Sequence, residues 1–252
     1  MGKKVIFKDF LKKYYRTKII YFLLLISLIY FITITLNYKV LALFGNYGRD
    51  GRTLDILVRD SIFNAMPQLI FWGPIFIFYQ QRMIAHYIRS EVILRFEDLF
   101  EFVKSYILNI LLISVIYVLF LQTLYQVGLL RFGLLAKNNL AYFLSEIIVQ
   151  SLAFVIISLL FFLSQILFGN FNVSFFFTYF LGYIIWYYFL MDRYFSFSGF
   201  VLHWVRTRGM NLEFLQSVFA ELTTIGILTF LIMILLKKKD IYIDRRIGRG
   251  DR

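Results

Sequence analysis

Six long apolar stretches, separated by short charged segments, dominate the sequence. Each stretch is long enough, or nearly so, to cross a hydrocarbon core of about 30 Å as a helix rising about 1.5 Å per residue. The predicted spans are Ile19–Leu36, Ile62–Tyr79, Ser105–Leu124, Leu144–Phe168, Phe175–Met191 and Val218–Leu236. This pattern predicts an all-α integral membrane protein with six transmembrane helices.

The composition agrees with a membrane protein. Apolar residues make up 60% of the chain and charged residues 17%, which leaves too little polar surface to cover a soluble core of this size. The chain has no Cys and only two His, so disulfides, redox chemistry and zinc sites are not expected. No segment between spans is long enough for a separate domain, and one transmembrane domain over residues 1–252 is predicted.

The second span contains two prolines, Pro67 and Pro74. Proline removes a backbone donor from a helix, which is tolerated in a membrane where neighbouring groups satisfy the freed carbonyls. A kinked or partly re-entrant segment is therefore expected there.

The distribution of basic residues predicts the orientation. With both termini in the cytoplasm, 18 of the 27 Lys and Arg residues lie in cytoplasmic segments and nine lie outside, as the positive-inside rule requires. The net charge is +12, and the basic residues that produce it cluster beside membrane spans, where anionic lipids attract them. Nucleic-acid binding is not expected.

The segment before the first span has the pattern of an amphipathic helix. Its basic residues recur every four positions, at Lys4, Lys8, Lys12 and Arg16. This spacing predicts a helix over residues 3–18 that lies in the membrane interface. The alternative is an ordinary basic flank that only fixes orientation.

The segment between the second and third spans is the largest internal cytoplasmic one. It mixes both charge signs with apolar residues and lacks Gly and Pro, so a helix is predicted. The candidate residues for contact with a cytoplasmic partner are Arg89, Glu91, Arg95, Glu97, Asp98 and Glu101. A solvated connector without a partner is the alternative.

The segment between the fifth and sixth spans is too apolar for a solvated loop. It predicts a re-entrant or interface-lying helix on the outer side. The candidate residues for an outer gate are Tyr194, Phe197, Phe200, His203 and Trp204.

Two acidic residues, Glu146 and Glu221, fall within or at the edge of predicted spans. A carboxylate inside a membrane is costly unless it is paired or hydrated, so both are candidates for a substrate pathway, together with Asn109 and Gln150. Both acids lie near the predicted outer ends of their spans, and solvation at headgroup level is the alternative. The two amides are equally explained by hydrogen-bonded packing between helices.

The sequence lacks the motifs of common enzymes. It contains no Gly-x-x-x-x-Gly-Lys-Ser/Thr phosphate loop, no His-Glu-x-x-His and no Gly-x-Ser-x-Gly. The chain is therefore expected to be neither an ATPase nor a hydrolase of these types.

Taken together, the interfacial helix, six spans, charged internal helix, outer re-entrant region and basic tail resemble a type-2 permease of the ATP-binding cassette exporters. The stretch Leu235-Leu236-Lys237-Lys238-Lys239-Asp240-Ile241 resembles the common ending of these permeases, in which the last span exits into basic residues followed by Asp-Ile or a similar pair.

This resemblance implies a complex of two membrane subunits, identical or related, with two cytoplasmic ATPase subunits. ATP and magnesium would be bound by the ATPases, and no cofactor by this chain. The helix around Arg89–Glu101 would be the coupling helix, and the segment 194–205 would gate the outer end. The Lys, Ile and Phe bias favours a bacterial cytoplasmic membrane, and export of antimicrobial peptides or self-protection is one expected role.

Two alternatives stay open. A stand-alone membrane immunity or scaffold protein would need no ATPase and no coupling helix. A membrane-embedded enzyme acting on lipid would need at least two of Glu146, Glu221 and His203 to converge on one reacting atom, within about 3 Å.

Overall fold

The structure, a computed structural model, describes residues 72–87, 96, 98–131, 140–191 and 212–238, together with Tyr21, Leu25 and Leu28. These residues form five long α-helices, and the described part contains no β-strand. In chain order the helices are α1 (Gly73–Tyr87), α2 (Leu99–Arg131), α3 (Leu140–Phe168), α4 (Phe171–Met191) and α5 (Leu212–Lys238). The all-α prediction is confirmed for this part of the chain.

Three of these helices are long and apolar enough to cross a membrane. The segments with this length and composition are Leu99–Leu130, Phe143–Phe168 and Phe214–Lys238, and they contain the third, fourth and sixth predicted spans. The fifth predicted span lies within α4, where a shorter apolar helix covers Phe171–Leu181. The membrane character expected from the sequence is therefore supported, and the number of six spans stays a prediction.

Only residues 72–79 of the second predicted span are described. Trp72 is in a π-helical turn and α1 follows directly from Gly73, so Pro74 lies just after an irregularity in the helix. The carbonyl oxygen of Trp72 accepts a hydrogen bond of 2.9 Å from the Tyr117 hydroxyl. The kinked or partly re-entrant course of the whole span stays a prediction.

Several other predicted segments lie outside the described residues. They are the interfacial helix over 3–18, most of the first span, residues 88–95 of the charged connector and the outer segment 194–205. In the first predicted span, Tyr21, Leu25 and Leu28 are helical and exposed.

Helix α3 lies at the centre of the described bundle. It packs against α1, α2, α4 and α5, and α5 also contacts α2. Aromatic side chains fill much of this contact: Phe154 of α3 lies against Phe76 of α1 and Tyr117 of α2, with ring centroids 4.5 Å and 5.2 Å away. Such ring pairs add about 0.5–1.5 kcal/mol each beyond the area they bury.

Ring contacts also give the directions of the first three helices. Tyr106, near the start of α2, lies 4.2 Å from Phe162, near the end of α3, and 5.1 Å from Tyr87, the last residue of α1. Helix α2 therefore runs antiparallel to both α1 and α3.

Helix α5 runs in the same direction as α3. Phe214, near the start of α5, packs with Val149, near the start of α3. Leu228, Ile232 and Leu236 belong to the main core together with α3 side chains. The opposite direction would carry α5 past the beginning of α3 and off this core.

A two-residue turn joins α3 and α4. Gly169 has a φ of +67°, a left-handed conformation that ends α3, and its N–H donates to the Gln165 carbonyl at 2.9 Å. Asn170 then caps α4, because its side-chain oxygen accepts from the Asn172 N–H at 2.9 Å. We call the end of the bundle that contains this turn the hairpin end; the last residue of α1, the start of α2 and Lys238 lie at the same end.

We predict opposite effects for two glycine substitutions. Gly169→Ala should lower the free energy of unfolding by about 1–2 kcal/mol, because an L side chain is strained in the left-handed region. Gly226→Ala in α5 is the matched control: neither glycine has an atom within 4 Å of an added Cβ, so only backbone conformation differs, and the control should gain up to about 1 kcal/mol. Denaturant unfolding in mixed micelles measures both, and an equal effect would contradict the assigned turn.

Candidate functional site

The residues predicted to contact a cytoplasmic partner are only partly described. Arg89, Glu91, Arg95 and Glu97 lie outside the described residues. Asp98 is exposed and caps α2, because its Oδ1 accepts a hydrogen bond of 3.2 Å from the Phe100 N–H. Glu101 follows in the first turn of α2, where a negative charge favours the positive end of the helix dipole.

The start of α2 is also held by apolar contact. Phe96 is buried, and its ring lies 5.5 Å from that of Phe102 in an edge-to-face arrangement. Phe102 in turn contacts Phe162 at the end of α3, with centroids 6.5 Å apart. The end of the charged connector is thus attached to the central helix.

Asn109 does not join the other predicted pathway residues. Its side-chain amide donates to the Tyr87 hydroxyl and links α2 to the last residue of α1. Burial raises the pKa of Tyr87, so this hydroxyl stays neutral at physiological pH. Asn109 lies about 20 Å along α2 from Gln122, at a rise of about 1.5 Å per residue. Its role is therefore to join α2 to α1 near the hairpin end.

Both predicted intramembrane acids are buried in the bundle. The exposed fraction is 1% for Glu146 and 2% for Glu221. Solvation by headgroups or water at the ends of the spans therefore does not account for either carboxyl group. Each needs a partner inside the protein, a proton or a ligand, because a lone charge in an apolar environment is too costly to persist.

Glu146 has a partner on a neighbouring helix. The side-chain amide of Gln122 on α2 donates to Glu146 Oε2 at 2.9 Å, and both residues are buried. Gln150 lies one turn further along α3 with 3% exposure, and neither its amide oxygen nor its nitrogen has a hydrogen-bond partner among the described residues. The next residue, Ser151, is also buried, and its hydroxyl has no such partner.

Glu221 lies in the buried face of α5. The buried or partly buried positions of this face, which we call the α5 seam, are Phe214, Val218, Glu221, Ile225, Leu228 and Ile232. Their alternating spacing of four and three residues is that of a helix packed along one side. Helix α5 packs mainly on α3, so the one carboxyl of an otherwise apolar seam is directed into this interface.

Neither carboxylate oxygen of Glu221 accepts a hydrogen bond from any described residue. No Lys, Arg or His that could neutralise it is buried among the residues whose side chains are described. The sequence extends this observation, because all six predicted spans together contain two acids and no basic residue. The chain therefore supplies no counter-ion for Glu221 from its spans.

Some polar residues nearer the hairpin end are paired. Ser158 donates to Gln80 Oε1 between α3 and α1, and the hydroxyls of Ser164 and Thr178 lie 3.2 Å apart between α3 and α4. These contacts hold helices together, as interhelical hydrogen bonds do in membranes. The side chains of Glu221 and Gln150 make no hydrogen bond within the described part of the chain, and neither does the buried hydroxyl of Tyr106 near the hairpin end.

The structure thus brings Glu146, Gln150 and Gln122 together and places Glu221 on the facing helix α5. Sequence reasoning gave Gln122 no specific role, and only the packing of α2 on α3 identifies it as the partner of Glu146. The heptad spacing of the α5 seam is visible in the sequence and is a signal that Glu221 faces a helix. The outer gate candidates Tyr194, Phe197, Phe200, His203 and Trp204 lie outside the described residues.

No protein-family model, curated protein or solved structure matches this chain. The resemblance to exporter permeases is therefore an expectation from the sequence features described above.

We predict opposite stability effects for the two kinds of buried polar residue. Gln122→Leu should lower the free energy of unfolding by about 1–3 kcal/mol, because Glu146 loses a buried donor. Glu221→Met should leave it unchanged or raise it by up to about 3 kcal/mol, because an unpaired carboxyl is replaced by an apolar group of similar volume.

Denaturant titration of the purified variants in mixed micelles measures both effects. Strong destabilisation by Glu221→Met would mean that Glu221 has a structural partner and would contradict its assignment to function.

Proposed function

We propose that this chain is the membrane-spanning permease subunit of an ATP-binding cassette exporter in a bacterial cytoplasmic membrane. It moves a peptide, drug or lipid-like substrate, and a separate cytoplasmic ATPase binds ATP and magnesium and hydrolyses the nucleotide. The observation that carries the transport part is Glu221, a buried carboxyl group without a partner among the described residues, in a helix able to cross a membrane.

The reasoning from Glu221 to transport is energetic. An unpaired buried polar group costs about 1–3 kcal/mol of stability, and more when it is charged. Selection for stability alone would favour an apolar residue at this position of the seam. Glu221 is therefore best explained as a group that meets a substrate or ion passing through the membrane domain.

The arrangement at the hairpin end supports coupling to a partner. The connector over residues 88–98 joins α1 to α2, and both helices are attached to α3 through Tyr87, Phe102 and Phe162. Because α3 contacts every other described long helix, a force on this connector reaches the whole bundle. A coupling helix needs this mechanical property, since closure of an ATPase must move membrane helices as rigid bodies.

Charged residues at the hairpin end agree with the orientation in the membrane that the sequence predicts. Exposed Lys104, Lys237 and Lys238 lie there with Asp98 and Glu101, and the sequence-based orientation assigns this end, with both chain termini, to the cytoplasm. A cytoplasmic ATPase would meet the connector there.

Exposed apolar side chains on α5 are available for lipid or for the second permease subunit. The most exposed are Leu215, Phe219, Leu222, Ile227 and Phe230. A permease dimer, identical or related, would cover part of this surface.

A membrane-embedded enzyme is less well supported. Glu146 is hydrogen-bonded to Gln122, and Glu221 makes no hydrogen bond with any described residue. The described residues thus show no pair of acids that converges on one reacting atom, as general acid–base catalysis requires.

The complex itself is the first test. The tagged chain, extracted from its host in mild detergent, should co-purify with a soluble ATPase in stoichiometric amount, detected by mass spectrometry and ATP hydrolysis. Reproducible absence of an ATPase from intact, self-associated protein would reject this proposal in favour of a stand-alone immunity or scaffold protein.

We predict that charge reversal in the connector abolishes this association. The triple variant Arg89→Glu, Arg95→Glu, Glu97→Lys should lose the ATPase, because reversed charges repel a surface that was complementary. Asp98 is left unchanged because it caps α2, and Lys104→Glu, a charge reversal at an exposed position of α2 outside the candidate set, is the matched control. Membrane insertion is measured in parallel, and normal ATPase recovery with a well-inserted triple variant would contradict the coupling role.

A further inference from the structure

The resting state of Glu221 follows from its surroundings. With 2% exposure, no described hydrogen-bond partner and no basic residue in the predicted spans, an ionised carboxylate would be an uncompensated charge in an apolar interface. Such a group takes up a proton and becomes neutral. Two protonation states are then available to the site, and only the neutral one is stable without a ligand.

We propose that the α5 seam binds an organic monocation, an ammonium or guanidinium group on an apolar body, in exchange for the proton of Glu221. The carboxylic acid releases its proton, the resulting carboxylate binds the cation, and one proton leaves for each cation bound. No other bond forms or breaks. This inference names the substrate class of the proposed exporter and rests on that proposed function.

The neighbours of Glu221 favour an apolar body on the cation. Val218 and Ile225 lie one turn before and after it in the same seam, and Leu228 follows. These side chains offer dispersion contact and no oxygen. A hard metal cation needs about six or more oxygen ligands, which this seam does not provide, whereas an ammonium group is well bound by one carboxylate.

The position of α5 gives such a ligand a route from the lipid. Only 17% of the apolar stretch by which α5 could cross a membrane is buried, compared with 67% of the corresponding stretch of α3. Beside Glu221, Leu222 is 52% exposed and Phe219 is 74% exposed. An amphipathic cation partitioned into the bilayer can therefore approach along the exposed side of α5, and movement of α5 away from α3 would open the carboxyl group to it.

The other ionisable groups do not replace Glu221 in this role. On α3, the buried Glu146 accepts a hydrogen bond from Gln122. On α2, the titratable side chains in the buried part are those of Tyr106, Tyr117 and Tyr125. The basic residues of α2, Lys104 and Arg131, lie near its two ends. On α5 itself, Lys237 and Lys238 are in the last turn, more than four turns from Glu221.

Calorimetric titration with a defined probe tests the exchange. The purified full chain in detergent is titrated with 4-phenylbutylammonium at constant pH in two buffers of different ionisation enthalpy, and the difference in heat gives the number of protons released per cation bound. The neutral analogue 4-phenylbutanol measures apolar binding alone. For the unaltered chain, release of about one proton with the ammonium and none with the alcohol is expected from the exchange.

Variants identify the source of the proton. Glu221→Gln should abolish proton release and weaken ammonium binding at least about tenfold, since a charge-assisted hydrogen bond contributes about 1.5–3 kcal/mol. Glu221→Asp should retain proton release with weaker binding. Glu213→Gln, the same change in the first turn of α5, should behave as the unaltered chain.

Three outcomes would overturn the inference: no ammonium binding by the folded chain, binding without proton release, or proton release that survives in Glu221→Gln and disappears in Glu146→Gln. Helical content and elution volume confirm that each variant is folded. The titration needs no ATPase, so a positive result without a co-purifying ATPase would leave this site in place and reject the exporter.

Discussion

The packing of α3 against four other helices is the constraint on which the described structure depends. Within lipid, apolar surface gains little by leaving the solvent, so helices associate through close packing and interhelical hydrogen bonds. Helix α3 supplies both, through rings such as Phe154 and Phe162 and through the hydroxyls of Ser158 and Ser164. A change at either end of α3 is therefore felt by the helices around it.

Several buried polar groups have no hydrogen-bond partner among the described residues. They include the hydroxyl of Tyr106 near the hairpin end and that of Ser114 in the middle of α2, as well as the side chains of Gln150 and Glu221. An unpaired neutral group costs about 1–3 kcal/mol, and a charged group costs more. Among these described groups Glu221 is the only carboxyl group, which is why the proposed function rests on it.

The proposed transport would require some helices to move relative to others. In the described bundle, α1, α2 and α3 are joined by ring contacts and hydrogen bonds, and α5 packs on α3 and, less extensively, on α2. Glu221 lies on the buried face of α5, so a movement of α5 relative to α3 would change the surroundings of its carboxyl group.

The sequence by itself determined where α2, α3, α4 and α5 lie, because in a membrane each backbone group must bond within its own segment, so an apolar stretch of sufficient length forms a helix. It also identified Glu146 and Glu221, since a carboxyl group within a span is rare and costly. It did not determine their partners. Spans that are apolar on every side carry little information about which faces meet, so Gln122 as the donor to Glu146, and Tyr87 as the partner of Asn109, came only from the packing of α2 on its neighbours. The tertiary structure alone decided that one acid is paired while the other faces an apolar seam, because a hydrogen bond between residues distant in sequence exists only once two helix faces are in register.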